Sequence, residues 1–274
     1  MAHINTPTID HPPDDSSRVR QPKPEERRTA LAVLLTGRPT PNDLAVDHFL
    51  EFTREQGMSL DGLWALYQGQ VPVSAVLIIL SAGRAAVVFI SPVITRRRIQ
   101  DTAEMLKIAI QAQDPDGLNL IQSLLEPTQR HEHDALAQAG FIRLASLVYM
   151  RCSCPPQTAT PPSGGRAHGD LADPIEFEGK PLTALTWQDD RFEVFADAIS
   201  DSYLETQDCP ELVGVRRIED IIAGHKAVGR FDPSLWSAFY LDGKPVGVLL
   251  LNPLADRPEL ELVYLGITPA FRSK

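Results

Sequence analysis

The sequence predicts an α/β (α+β) protein of two tandem units, each a mixed, mostly antiparallel sheet flanked by helices. Three observations carry this. Helical and strand periodicities alternate along the chain instead of segregating into halves. A stretch with few large apolar residues, containing Pro155-Pro156 and Pro161-Pro162-Ser163-Gly164-Gly165, interrupts the pattern past mid-chain and reads as a linker. The order helix, helix, strand, strand, strand occurs on both sides of it.

The elements follow from local chemistry. Residues 1–28 are polar and Pro-rich, with too little apolar surface to offset the entropy of ordering, and predict a disordered tail. Arg27–Leu35 predicts a short apolar helix ended by Gly37-Arg38-Pro39. Pro41-Asn42-Asp43 opens a second, with Leu44, Phe49, Phe52 and Met58 available to its buried face. Strands are expected at Leu63–Tyr67, Val73–Leu80 and Ala85–Ile90. The spacing of Ile99, Ala103, Leu106 and Ile110 predicts a helix to Ala112, and Leu118–Leu124 a strand. His131–Ala139 reads as a helix closed by Gly140, and Phe141–Met150 as a last strand, completing a domain over 29–151. The linker spans 152–181.

The second domain, 182–274, opens with a helix over Trp187–Tyr203 that places Phe192, Phe195, Ala196 and Ile199 on one face. A polar loop, Thr206–Gly214, leads to a helix from Ile218 to about Val228. Asp242-Gly243 between Trp236–Leu241 and Val246–Leu251 is a hairpin signal, because Gly accepts the positive φ of a tight turn. A third strand runs from Glu261 to Ile267, before Thr268-Pro269.

The two domains echo each other. Tyr67, Pro72 and Val73 match Tyr240, Pro245 and Val246 at one offset of 173 residues, and Ser91-Pro92 matches Thr268-Pro269 at 177. The longer second loop, Asn252–Pro258, absorbs the difference. This predicts a tandem repeat.

Composition narrows the function. A net charge of −10 argues against general nucleic-acid or anionic-membrane binding, which need clustered Lys and Arg. Arg96-Arg97-Arg98 reads as a solvated helix start. Three cysteines make no disulfide framework and fit a reducing compartment. The N-terminus has no apolar signal core, and Val71–Leu80, interrupted by Pro72 and Ser74, is too short to span a bilayer. A cytoplasmic protein is expected. His131-Glu132-His133 opens a helix at a spacing that does not share a face, so no metal site is expected. Cys209, in Asp208-Cys209-Pro210-Glu211, reads as a turn residue more readily than as a nucleophile, since no partnered His is evident. His225 reads as a packing residue, and Trp64, Trp187 and Trp236 as core.

Helix–helix–β–β–β followed by Tyr264-Leu265-Gly266-Ile267-Thr268-Pro269-Ala270-Phe271-Arg272 resembles the GNAT acyltransferase family at its fourth strand and the entry to its pyrophosphate loop. The tandem arrangement is similar to mycothiol synthase and other two-domain members. The resemblance implies an N-acetyltransferase that uses acetyl-CoA, with no metal, to acylate an amine of a small molecule or peptide. By that analogy Glu261 is the candidate general base. Leu265, Gly266 and Ile267 hold the cofactor through their main chain, and Arg272, Ser273 and Lys274 begin the phosphate cradle. The family pattern, Arg/Gln-x-x-Gly-x-Gly/Ala, places its first glycine one residue past Lys274, so the second domain is expected to be incomplete. In the first domain, Pro92-Val93-Ile94-Thr95-Arg96 has no glycine at the corresponding turn, and β-branched residues deny close backbone approach, which implies a degenerate, non-catalytic copy. Strand alternation puts Glu261 on one face with Val263, Leu265 and Ile267, where apolar neighbours raise a carboxylate's pKa toward neutrality. The residues alone also admit a solvated strand-end glutamate, and the chain as a non-catalytic binding module.

Overall fold

Val73–Leu80 is apolar on both strand faces, so the first sheet needs cover on both sides. The computed structural model describes residues 18–41, 43–114, 117–153, 176–255 and 257–272. They divide into two units: Met1–Leu80 with Ala85–Arg143, and Ser81–Arg84 with Leu144–Lys274.

The first unit runs β1 (Val19–Arg20), α1 (Arg27–Thr36), α2 (Leu44–Glu55), β2 (Leu63–Gln68), β3 (Val71–Ser81), β4 (Ala85–Ile90), α3 (Arg97–Gln111), β5 (Leu120–Gln122) and α4 (Arg130–Gln138). Its sheet has the order β1-β2-β3-β4-β5 and is mixed, since β4 and β5 are parallel while β1–β2 and β2–β3 are antiparallel. Leu63, Ala65, Ala75, Leu77 and Ile79 pack with Leu31 and Val33 of α1 and Val46 of α2. The alternate residues Leu66, Val76 and Ile78 pack with Met105, Leu106 and Ala109 of α3 and Leu136 of α4. Gly37, with φ of 71°, ends α1 in the left-handed region that glycine adopts freely.

The second unit runs β6 (Glu176–Phe177), β7 (Lys180–Pro181), β8 (Thr183–Thr186), α5 (Phe192–Tyr203), α6 (Ile218–Lys226), β9 (Trp236–Leu241), β10 (Lys244–Pro253) and β11 (Leu260–Ile267). Its main sheet, in the order β8-β9-β10-β11, is antiparallel throughout. Phe195, Ala198 and Ile199 of α5 and Ile222 of α6 pack on Trp236, Ala238, Val248 and Leu250. The predicted fold class is the one observed. Each sheet begins with a short strand ahead of the helix pair, and the residue pairs Tyr67–Pro72 and Tyr240–Pro245 face each other across β2–β3 and β9–β10, each beside a register shift.

Four expectations are corrected. Order begins before residue 28: Val19 is buried and faces Leu66, and Arg20 donates to Glu26 at 2.6 and 2.8 Å, so a short strand and an ion pair supply what apolar content lacks. Residues 1–17 lie outside the described residues. Phe141–Met150 forms no strand, because a ladder needs a partner that local β-propensity does not supply. The unit boundary falls after Arg143 rather than at 151. Within the expected linker, 154–175 lie outside the described residues, and 176–181 form the β6–β7 hairpin. Strand β8 was not expected.

Candidate functional site

The site is built on β11, the end strand of the second sheet. Its pairing to β10 changes register between Leu250 and Leu251, whose partners are Tyr264 and Leu262, so Val263 is an extra residue and makes a bulge. The bulge reverses the alternation expected for this strand. Glu261 faces Asn252, Tyr264 faces Leu250 and Gly266 faces Val248, and Asn252, Leu250 and Val248 are all buried toward α5 and α6. Glu261 therefore shares the helix-side face with Tyr264 and Gly266. Leu265 and Ile267, with Leu260 and Leu262, stand on the opposite face and are exposed. This corrects the expectation that Glu261 lies with Leu265 and Ile267. Glu261 is exposed, and among the described residues it makes no side-chain hydrogen bond or ion pair.

Behind β11 lies a polar cluster from α5 and α6. Ser202 donates its one proton to the Ile199 carbonyl at 2.7 Å, so the Tyr264 hydroxyl, 2.8 Å away, donates to Ser202 Oγ. The Tyr264 ring meets Tyr203 edge-on and stacks on His225, each at 5.3 Å between centroids. Burial pushes the phenols of Tyr203 and Tyr264 above their usual range. Burial, with the Arg216 charge adding to it, pushes the His225 imidazole down to about 4, so it is neutral at physiological pH. His225 Nε2 is buried with no hydrogen-bond partner among the described residues. A Cβ at Gly266 would lie 2.4 Å from Ser202 Oγ and 2.6 Å from the Tyr264 hydroxyl, so only glycine fits beneath this pair.

Arg272 follows a single turn of 3-10 helix at Pro269–Phe271. Its guanidinium donates to three carbonyls: Nε to Ile267 at 2.9 Å, Nη1 to Glu205 at 3.0 Å and Nη2 to Ser202 at 2.8 Å. It thus ties the end of β11 to the C-terminal end of α5, where carbonyls lack helical partners. Ser273 and Lys274 lie outside the described residues. Glu261, Leu265, Gly266, Ile267 and Arg272 are therefore all placed along or just beyond one strand. Sequence reading missed Ser202, Tyr203 and Tyr264 as a cluster; the only signal was their aromatic and hydroxyl character at the end of a helix and on a strand.

The remaining candidates settle into structural roles. His131 Nδ1 lies 3.0 Å from the Val93 carbonyl, and buried Glu132 accepts from the Val93 N–H at 2.7 Å, so His131 and Glu132 anchor the start of α4. No group of three or more His, Cys, Asp or Glu side chains able to hold a metal ion occurs among the described residues. No helix among them is long and apolar enough to cross a membrane. In the first unit, β4 and β5 pair only from Ala85–Leu120 to Val87–Gln122. A cavity of about 200 Å³ opens beside the next residues of both strands, lined by Val88, Phe89, Ile90, Leu124 and Leu125, and Ser123 Oγ donates to the Val88 carbonyl at 2.9 Å.

No protein-family model matches the sequence, and no curated protein matches it. Among solved structures, the chain is similar to a GCN5-related N-acetyltransferase from Sphaerobacter thermophilus, at 13% identity and a TM-score of 0.47, over 93% of this chain and 77% of that one. It is also similar to a protein from Agrobacterium tumefaciens strain C58 provisionally assigned as an acetyltransferase, at 14% identity and a TM-score of 0.37, over 49% of this chain and 99% of that one.

Proposed function

We propose that the second unit is a GNAT-type N-acetyltransferase, taking acetyl-CoA as donor and an amine of a small molecule or peptide as acceptor, with neither nucleic acid nor membrane as partner. The observation that carries this reading is the bulge at Val263. It turns a solvent-reaching carboxylate, Glu261, onto the face of Tyr264 and Gly266, on a strand whose far edge pairs with no strand among the described residues. The first unit, with no glycine in the turn Pro92–Arg96 after β4, is the non-catalytic copy of a tandem repeat.

Three features bear on whether the cofactor fits. The edge of β11 that pairs with no strand among the described residues offers main-chain groups along Leu265–Ile267 for an amide-bearing pantetheine arm. Arg272 stands past the end of that edge and would hold a pyrophosphate. Three of its five N–H donors are already taken, leaving two for an anion. When bound, acetyl-CoA supplies the thioester carbon that the amine attacks. Glu261 takes the amine proton through water, the β11 edge orients the arm, and the uncharged Tyr264–His225 stack excludes competing charge from the site floor.

A second reading, a non-catalytic binding module, is favoured by one observation: the Arg272 guanidinium already serves the backbone. Calorimetric titration of acetyl-CoA into the chain separates the two. Saturable binding that weakens in Arg272→Ala, with release of free thiol on adding amines, supports the transferase. Absence of saturable binding sinks it.

A further inference from the structure

Buried Ser202 is joined to β11 twice, once through its side chain and once through its carbonyl. Its hydroxyl proton goes to the Ile199 carbonyl at 2.7 Å, which pins Oγ to the last turn of α5 and leaves it to accept the Tyr264 hydroxyl at 2.8 Å. The Ser202 carbonyl lies in the same turn, where helical partners run out, and accepts Arg272 Nη2 at 2.8 Å. That guanidinium also donates through Nε to the Ile267 carbonyl at 2.9 Å. The peptide unit carrying this carbonyl is gripped from its other side as well, since the Thr268 N–H donates to the Val246 carbonyl at 2.9 Å. The two connections from Ser202 therefore reach the two ends of one short stretch of β11, Tyr264 and Ile267. Between them Gly266 lies so close to the hydroxyl pair that a Cβ there would fall 2.4 Å from Ser202 Oγ.

We propose that Ser202 is a positioning residue for the acyl donor. Its hydroxyl, through Tyr264, and its carbonyl, through Arg272, clamp the main chain of Leu265–Ile267 against the end of α5. The proposal rests on the reading above, in which that main chain takes the pantetheine arm and Arg272 the pyrophosphate. Ser202 meets neither part of the donor directly. It acts through Tyr264 and Arg272, and so fixes the spacing between the place for the arm and the place for the pyrophosphate. The two connections are separable: removing the hydroxyl loosens the stretch that takes the arm, while the carbonyl goes on holding Arg272.

The test titrates the full chain with acetyl-CoA, with S-acetylpantetheine, which has the arm without the pyrophosphate, and with ADP, which has the pyrophosphate without the arm. Ser202→Ala is expected to bind acetyl-CoA and S-acetylpantetheine about fivefold more weakly than the parent chain, with ADP binding unchanged. Tyr264→Phe removes the other end of the same hydrogen bond and is expected to give the same loss, and the double variant no more than either alone. Equal weakening of ADP, losses that add in the double variant, or parental affinities in Ser202→Ala overturn the clamp. Hydrogen exchange reads it without any ligand. The amides of Gly266 and Thr268 are expected to exchange about fivefold faster in each single variant, while that of Ala238 on β9 keeps its parental rate. An equal acceleration at Ala238 marks a general loss of stability and overturns the clamp, as do unchanged rates at Gly266 and Thr268. If the parent chain binds neither acetyl-CoA nor S-acetylpantetheine while the exchange result holds, the donor reading falls and the clamp on β11 stands.

Discussion

Asn252 Oδ1 accepts the indole N–H of Trp236 at 2.8 Å inside the second unit, and both residues are fully buried. The Asn252 amide donates in turn to the His225 and Val228 carbonyls at 3.0 and 2.6 Å, the last carbonyls around the end of α6. One side chain therefore closes β9, β10 and α6 on each other, next to the strand that carries Glu261. Asn252→Ala leaves an indole N–H and two carbonyls unsatisfied and is expected to destabilise the second unit by about 2–4 kcal/mol. Urea denaturation followed by tryptophan fluorescence reads this, and a midpoint unchanged from the parent chain would show that the network contributes nothing.

Gly266→Ala places a methyl group within 2.4 Å of Ser202 Oγ. The Tyr264–Ser202 hydrogen bond must break or β11 must shift, for a loss of about 1–3 kcal/mol. The double substitution Ser202→Gly with Gly266→Ala removes the nearest obstruction and frees the Tyr264 hydroxyl to move away, and is expected to recover part of the loss. An additive result in the double-mutant cycle counts against the close approach.

His225 gives the second unit a pH dependence. Its folded pKa, about 4, lies below its unfolded value near 6.5, so the unfolded chain binds the extra proton between them. Stability is full above pH 6.5 and falls as pH drops toward 4. The loss is about 2 kcal/mol once partial exposure is discounted. Burial, the Arg216 charge and the uncharged face of Tyr264 keep the ring neutral. A His225 imidazole resonance, assigned by its loss in His225→Phe, that titrates near 6.5 in the folded protein would refute this; the same substitution is expected to flatten the pH dependence.

Glu261→Gln removes the proposed base while keeping the shape of the side chain. Acetyl transfer is expected to fall by about 100-fold or more near neutral pH, with acetyl-CoA affinity unchanged. The loss should shrink at high pH, where the amine reaches the site already neutral. Turnover that matches the parent chain at every pH excludes Glu261 as base.

Helix types and order were legible because their signals are local: Ile99, Ala103, Leu106 and Ile110 do form one buried or half-buried stripe on α3. The hairpin at Asp242-Gly243 was equally plain, and Gly243 does take a positive φ of 76°. The short strands β1, β5 and β8 were unseen or overlong in sequence because two to four residues hold too few periods to read. Of the site, the strand was legible but its facing was not. The parity of Glu261 depends on where Val263 is squeezed out against Leu250 and Leu251, which no window of β11 alone reveals.

The sequence by itself determined the two-fold succession of helix pair and three-strand meander, because hydrophobic period and turn chemistry act over a few residues. It also placed Glu261, Gly266 and Arg272 on or just beyond one strand. Only the tertiary structure decided which way Glu261 faces, that Arg272 holds the end of α5, and that Phe141–Met150 forms no strand. Those outcomes depend on hydrogen-bond partners brought together from distant parts of the chain, and a strand's own residues specify its extension but not its neighbour.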